Sequence, residues 1–253
     1  MQYALVRGIP DSFDQCIKPK DNPRPIDVAL ARRQHQRYCE ILSQLGWTVI
    51  LAPPDDRLPD CPFTEDTAVV AGKRVLITRP GAASRRDEVK VSAEILGHFL
   101  DLTRMASPAT LEGGDVLQVG NTLFVGRTKR TNDAGIKALS DWAGASRTVV
   151  PVALTGALHL KTIVNVLDAG TVVVSGDGVD PGIFSACKVL KAPEAEASRL
   201  SFLPLGRQVI LPADCPETAR LFEREGFATI PIDISEIRKA QAGLTCMSVL
   251  FEA

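Results

Sequence analysis

Thr67-Ala-Val-Val-Ala-Gly-Lys-Arg-Val-Leu-Ile-Thr78 reads as two short strands folded about Gly72-Lys73. Apolar and β-branched residues fill both arms, and the Gly-containing pair supplies a tight turn. The figure returns in Asp115-Val-Leu-Gln-Val-Gly-Asn-Thr-Leu-Phe-Val125, turning at Gly120-Asn121. It returns again over Ile163 to Ser175, turning at Asp168-Ala-Gly170, and more weakly over Leu203 to Leu211 about Gly206-Arg207. The turn glycines 72, 120, 170 and 206 lie 48, 50 and 36 residues apart, an approximate internal repeat.

Helical patterns fall between the hairpins. Residues 27–45 put Leu30, Tyr38, Ile41, Leu42 and Leu45 on one face. Val91, Ile95, Phe99 and Leu102 predict a second stripe, and Ile136, Leu139 and Ala143 a weaker third. Pro216 and Gly226 bracket a fourth helix. A short apolar strand follows each helix, such as Thr48 to Leu51 or Thr148 to Val152. The unit is therefore strand, turn, strand, helix, strand, repeated four or five times. No Ser/Gly-rich linker separates the copies, so residues 1–253 are expected to form a single domain. Such units can close into a ring with loops converging on its axis. A doubly wound sheet would instead alternate helices and strands one for one, which the hairpins argue against.

Composition excludes several classes. Apolar residues make up 45% of 253 and charged residues 23%, ordinary for a globular chain. Lys plus Arg is 29 against 30 for Asp plus Glu, so neither nucleic acid nor an anionic membrane is an expected partner. The cysteines at 16, 39, 61, 187, 215 and 246 form no Cys-x-x-Cys pair, so no disulfide framework and no metal site are expected. No long apolar run predicts a leader or a membrane span, and a cytoplasmic setting is the default expectation. Glycine-rich phosphate loops are absent, and no cofactor is expected.

Candidate chemistry sits at the strand starts. Cys246 follows Gly243 and precedes the alternating Met247, Val249 and Phe251. A free cysteine is more often a buried hydrophobe than a nucleophile, but this one lies where loops would line a site. His159 stands before a predicted strand over Lys161 to Leu167, whereas His35 and His98 lie in helical segments as solvated or structural residues. Glu112 and Asp115 flank Gly113-Gly114, and Glu65 and Asp66 open the first hairpin. These carboxylates suit a planar cation; strand alternation would send Glu65 and Asp66 to opposite faces. Arg85 and Arg130 stand in short basic runs fit to clamp a carboxylate or simply to be solvated.

The chain resembles the dimethylarginine dimethylaminohydrolases of the guanidino-modifying enzyme superfamily. The likeness spans nearly the whole length. It rests on Pro53-Pro-Asp-Asp-Arg57, Asp60-Cys-Pro-Phe-Thr-Glu-Asp66, Ile77-Thr-Arg-Pro-Gly-Ala-Ala-Ser-Arg-Arg86, Leu111-Glu-Gly-Gly-Asp115, Arg130-Thr-Asn132, Leu158-His-Leu-Lys-Thr162 and Leu244-Thr-Cys-Met-Ser248. It implies a five-bladed α/β propeller (the pentein fold) with pseudo-fivefold symmetry. It also implies hydrolysis of Nω-methylated arginine to citrulline and methylamines. By the same matching, Cys246 is the nucleophile, His159 the general acid/base and Glu112 its supporting carboxylate. Asp66, with Glu65 beside it, binds the guanidinium, and Arg85 and Arg130 bind the α-carboxylate. Asp60 and the backbone near Ile17 and Ala240 receive the α-amino group. The expected partner is that small molecule, and the expected state a monomer or homodimer. Gly126-Arg-Thr-Lys-Arg130 departs from the family's commoner Gly-Leu-Ser-x-Arg, and residues 14–25, the expected lid, match loosely. Arginine deiminases, agmatine deiminases and amidinotransferases carry the same catalytic set, and ribosome anti-association factors share the fold without it.

Overall fold

A computed structural model describes residues 1–19 and 24–253. Residues 20–23 of the expected lid lie outside the described residues. Strand β1 (Gln2–Arg7), helix α1 (Val28–Gln44) and strand β2 (Thr48–Ala52) come first. β3 (Ala68–Ala71), β4 (Arg74–Ile77), α2 (Val89–Leu96) and β5 (Asp101–Arg104) follow. Next are β6 (Val116–Val119), β7 (Thr122–Arg127), α3 (Asp133–Ala143) and β8 (Thr148–Ala153). β9 (Val164–Asp168), β10 (Thr171–Val174), β11 (Lys188–Lys191) and the one-turn α4 (Glu194–Ala197) make the next group. β12 (Leu203–Leu205), β13 (Gln208–Pro212), α5 (Pro216–Arg224) and β14 (Ala228–Ile232) lead to α6 (Ser235–Lys239) and β15 (Ser248–Glu252).

The strands form five three-stranded sheets, β3-β4-β5, β6-β7-β8, β9-β10-β11, β12-β13-β14 and β15-β1-β2. In each, the first two strands run antiparallel and the third lies parallel to the second. The first strands, β3, β6, β9, β12 and β15, surround a common axial cavity of about 420 Å3. The fold is a five-bladed α/β propeller.

Four blades are the hairpins legible in the sequence. Their tight turns need a left-handed residue, which Gly72, Gly120 and Gly206 supply at φ 61, 54 and 65°. Gly170 does not: Asp168 accepts from the Gly170 amide at 2.9 Å and a register shift at Thr171/Val172 absorbs the extra residue. The fifth blade has no hairpin. β15 pairs with β1 from Gln2↔Glu252 to Val6↔Ser248, a pairing that local sequence patterns do not announce.

Other expectations are corrected. The stripe from Val91 to Leu102 breaks at Leu96, where α2 ends; Phe99 lies in a turn and Leu102 on β5. The chain must be extended by Asp101 to pair with Arg74 of β4. The unit containing β9 and β10 has only a 3-10 turn, Pro181–Phe184, where a helix was expected. The strand expected from Lys161 starts at Val164.

Helices pack outside the sheets. Val75 and Ile77 meet Ala93 and Leu96 of α2, with Leu5, Val249 and Phe251 from the neighbouring blade in the same cluster. Each buried Val, Leu, Ile or Phe side chain among them contributes roughly 1.5–3 kcal/mol. Asp27 caps α1 through Leu30 N at 2.9 Å and Asn132 caps α3 through Gly135 N at 2.8 Å. Among the described residues no helix is long and apolar enough to cross a membrane.

Candidate active site

Four inner strands are entered by a 3-10 turn: Thr64–Thr67 before β3, Gly113–Asp115 before β6, Leu160–Thr162 just ahead of β9, and Thr245–Met247 before β15. The pseudo-symmetry of the ring thus brings Glu65, Asp66, Glu112, His159 and Cys246 to one end of the axis. Glu65 and Asp66 lie in a turn rather than a strand, and both are buried. Strand alternation therefore does not separate them. The glycines between Glu112 and Asp115 are set by close approach. A Cβ at Gly113 would stand 2.0 Å from Glu65 O, and one at Gly114 2.8 Å from both Asp66 Oδ1 and His159 Nδ1. Asp115 does not face a ligand. It accepts from Thr128 Oγ1, Thr131 Oγ1 and Leu160 N at 2.7, 2.6 and 3.0 Å, which ties the β6 turn to the His159 turn.

Glu112 is fully buried and is the hub of the charged network. Its carboxylate lies 2.7 Å from His159 Nε2 and accepts from Arg130 Nη1 at 3.1 Å and Gly81 N at 3.1 Å. Asp66 accepts from Arg85 Nη1 at 2.8 Å and Gly114 N at 3.0 Å. Arg85, buried to 4% exposure, also forks onto Glu88 through Nε and Nη2. Burial drives the Glu88 carboxyl up to about 7 despite Arg85. Burial acts on Asp66 in the same sense, but His159 and Arg85 outweigh it and hold the carboxyl at about 2. For His159, burial favours the neutral ring, yet Asp66, the Glu112 hydrogen bond and Asp115 carry it up to about 9. The ring is therefore an imidazolium at neutral pH. Ligand atoms of Asp66, Glu112 and His159 lie within 4.8 Å of one another, close enough to hold a metal ion. Of these three, His159 and Glu112 are joined directly by a charge-assisted hydrogen bond of 2.7 Å.

Cys246 sits in the turn before β15. Gly243 N approaches its Sγ at 3.3 Å, and Leu244 N donates to Ser201 Oγ at 2.7 Å, fixing the loop. Thr245 Oγ1 donates to Glu65 Oε2 at 3.0 Å. Burial, then Glu65 and Asp66, push the thiol well above its ordinary range. At rest Cys246 is a thiol.

Cys246 and His159 line a chamber of about 30 Å3 with Asp66, Arg85, Arg130, Asp60, Ile17 and Ala240. Of the sequence-predicted residues, these eight converge on one space. Glu112 lies beneath it. Glu65 faces a second cavity of about 210 Å3 that also touches Cys246 and His159. Its pair with Lys161 Nζ at 2.8 Å lies between that cavity and the axial one, lining both. Ile17 N donates to the Asp60 carboxylate at 3.1 and 3.3 Å, closing the chamber from above. Four residues escaped sequence reasoning: Glu88, Lys161, Ser201 and Gln241. Glu88 is three residues from Arg85, a spacing that signals an ion pair. Gln241, at φ 55°, gives no sequence signal, and it lines both small cavities.

A propeller whose axis ends in a thiol, an imidazolium and a carboxylate cluster defines a class of catalytic architecture, and comparison with known proteins places the chain within it. The family model described as arginine deiminase matches residues 55–197. An N(G),N(G)-dimethylarginine dimethylaminohydrolase of Pseudomonas aeruginosa is 34% identical over 89% of this chain and 90% of its own length. One of Streptomyces coelicolor is 37% identical over 97% of this chain and 95% of its own. A structure of the Pseudomonas aeruginosa enzyme complexed with citrulline superposes with a TM-score of 0.94, at 30% identity and 98% coverage of both chains. The N-terminal domain of a cyanobacterial arginine dihydrolase shares the fold, with a TM-score of 0.88 at 18% identity over 99% of this chain and 98% of that one. The chain belongs to the dimethylarginine dimethylaminohydrolase family.

Proposed function

We propose that this protein hydrolyses Nω-methylated arginine to citrulline and a methylamine through a covalent intermediate on Cys246. The observation that carries the reading is the single chamber shared by a thiol, an imidazolium held by Glu112, two carboxylates and two arginines. The guanidinium stacks over Cys246 with Asp66 accepting its N–H groups, and Glu65 lies close by in the adjoining cavity. A cation at that position opposes the two carboxylates that keep the thiol protonated, so substrate binding itself favours the thiolate. As the substrate binds, the thiol releases its proton to solvent, and the thiolate sulfur attacks the guanidinium carbon. His159 gives its proton to the departing methylamine, and the now neutral ring takes a proton from the water that cleaves the C–S bond. Citrulline leaves and the thiol is restored.

The amino-acid end of the substrate lies toward Arg130, Arg85, Asp60, Ile17 and Ala240. The two arginines are unequal clamps. Arg85 spends donors on Glu88, Asp66 and Phe63 O, whereas only Nη1 of the Arg130 guanidinium has an acceptor among the described residues. Arg130 therefore supplies the main carboxylate contact, and Arg85 chiefly orders Asp66. A space of about 30 Å3 holds about one water, so Ile17 and its neighbours move outward to admit the arm. The experiment is a substrate panel of arginine, monomethylarginine, asymmetric dimethylarginine and agmatine, with citrulline and amine measured for the wild-type protein and Cys246→Ser. Citrulline with dimethylamine, lost in Cys246→Ser, is expected. Ammonia from arginine without turnover of the methylated forms overturns the proposed substrate.

A further inference from the structure

Arg85 and Glu88 stand three residues apart where a 3-10 turn, Ala83–Arg85, runs into α2. Ser92 Oγ of that helix lies 2.7 Å from Thr67 Oγ1, which staples α2 to the Thr64–Thr67 turn carrying Asp66. Asp66, Arg85 and Glu88 therefore sit on two elements fixed to each other, and all three are buried.

The Arg85 guanidinium divides its donors unevenly. Its fork goes to Glu88, with Nε at 3.1 Å and Nη2 at 2.8 Å, and Nη2 also reaches Phe63 O at 3.4 Å. Asp66 receives Nη1 alone, at 2.8 Å, and Glu112 stands 3.8 Å from that same nitrogen. The bidentate mode is the strong and geometrically selective contact between arginine and a carboxylate. Here it falls to an acid that meets no substrate, since Glu88 is 1% exposed and lines neither the chamber nor the cavity beside it. Asp66, which does line the chamber, is left with one arginine nitrogen.

Charge points the same way. One guanidinium serves two carboxylates in direct contact, so Arg85 offsets the Asp66 charge only in part, and a second cation is still attracted there. With Glu88 neutral, Nε and Nη2 would be buried with poorer acceptors, which is unfavourable, and the nearest carboxylate for the fork to turn to is Asp66. We propose that Glu88 is a positioning residue for substrate binding: by occupying the Arg85 fork it keeps Arg85 from closing bidentately on Asp66, and so leaves the Asp66 carboxylate open to the substrate guanidinium. The inference rests on the guanidino-hydrolase reading above. Its consequence is selective, because the withheld charge matters to a cationic guanidinium and little to the neutral ureido group of citrulline.

The test is steady-state kinetics at about pH 8, between the Glu88 value of about 7 and the His159 value of about 9, where both groups are charged. Glu88→Gln keeps the shape but sets an amide NH2 against the Arg85 donors and breaks one arm of the fork. It should raise KM for asymmetric dimethylarginine about tenfold, the scale of one charge-assisted hydrogen bond, with kcat within about threefold. Inhibition by citrulline should weaken by less than about twofold. Adding Arg85→Gln to Glu88→Gln should lower KM again, because the guanidinium that closes on Asp66 is gone. If Glu88→Gln does not fold, Glu88→Asp, whose shorter arm leaves the fork incomplete, carries the same comparison with citrulline. An unchanged KM, equal losses for dimethylarginine and citrulline, or a double variant worse than Glu88→Gln overturns the proposal and makes Glu88 a part of the fold only. Wild-type protein inert toward dimethylarginine refutes the underlying reaction, and this role with it.

Discussion

Replacing Glu112 by Gln tests whether the buried network sets the proton on His159. The ring is carried from 6.5 to about 9, with the hydrogen bond and charge of Glu112 among the causes and Asp66 and Asp115 supplying others. At about 1.36 kcal/mol per unit, that preference for the charged ring is worth roughly 3 kcal/mol. Because the folded value lies above the unfolded one, this stabilisation is complete below pH 6.5 and disappears as pH rises through about 9. Glu112→Gln keeps the shape and an acceptor oxygen but removes the charge, so the His159 value should fall by about one unit or more, or ~1.4 kcal/mol. The chain has three histidines, few enough to assign their ring protons by NMR and titrate them directly. Denaturant unfolding from pH 6 to 10 gives the second readout. The half-buried Cys39 and the buried Cys61, both pushed up to about 11, also cost stability at high pH, so the quantity to compare is the difference between wild type and variant. Arg130 loses a partner too, but a guanidinium does not titrate in this range and shifts that difference by a constant. Identical His159 titrations in the two proteins would refute the account of how the ring is charged.

Cys246 should react slowly with iodoacetamide at neutral pH and faster when an unreactive cationic guanidine occupies the site. Mass analysis of the 240s peptide checks this, and acceleration by a neutral urea of equal size would contradict the electrostatic explanation. Arg130→Ala should raise KM for dimethylarginine by an amount equivalent to roughly 1.5–3 kcal/mol while leaving agmatine, which has no carboxylate, little affected. Equal losses on both would assign Arg130 to holding Glu112 alone. Gly114→Ala should cost most of the activity because the new methyl meets Asp66 and His159 at 2.8 Å, and a calorimetric scan should show it destabilised by about 1–3 kcal/mol. Wild-type kinetics in that variant would mean the turn gives way easily.

The hairpins could be read because each is local: a glycine and two apolar arms carry their own signal. Leu-His-Leu-Lys and Leu-Thr-Cys-Met-Ser located the imidazole and thiol because they lie in the turns that enter the inner strands. What escaped depends on partners distant in sequence. Nothing near Ser248–Glu252 announces that its neighbour is Gln2–Arg7. Alternation misassigned Glu65 and Asp66 because a 3-10 turn has a period near three, not two. Periodicity carried α2 too far because the half-buried Leu102 packs on its cluster and the exposed Phe99 rests on Tyr3 and Phe251, neither being helical. Glu88 and Lys161 passed unremarked since a charged residue on paper looks solvated until the fold brings it a counterion.

The seam between β1 and β15 links the completion of folding to the onset of chemistry. Cys246 lies two residues before β15, and that strand's backbone partner in its own blade is β1, more than two hundred residues earlier. Closing so long a loop without intervening structure would cost roughly 5 kcal/mol of chain entropy, a sum that shrinks as the blades between assemble. The most distant pairing should therefore form late. Until it does, the thiol has no fixed relation to His159 or Asp66. A partly folded chain holds its acid and base in adjacent, locally built blades but not its sulfur. An unzipped seam would silence the site while leaving four blades intact.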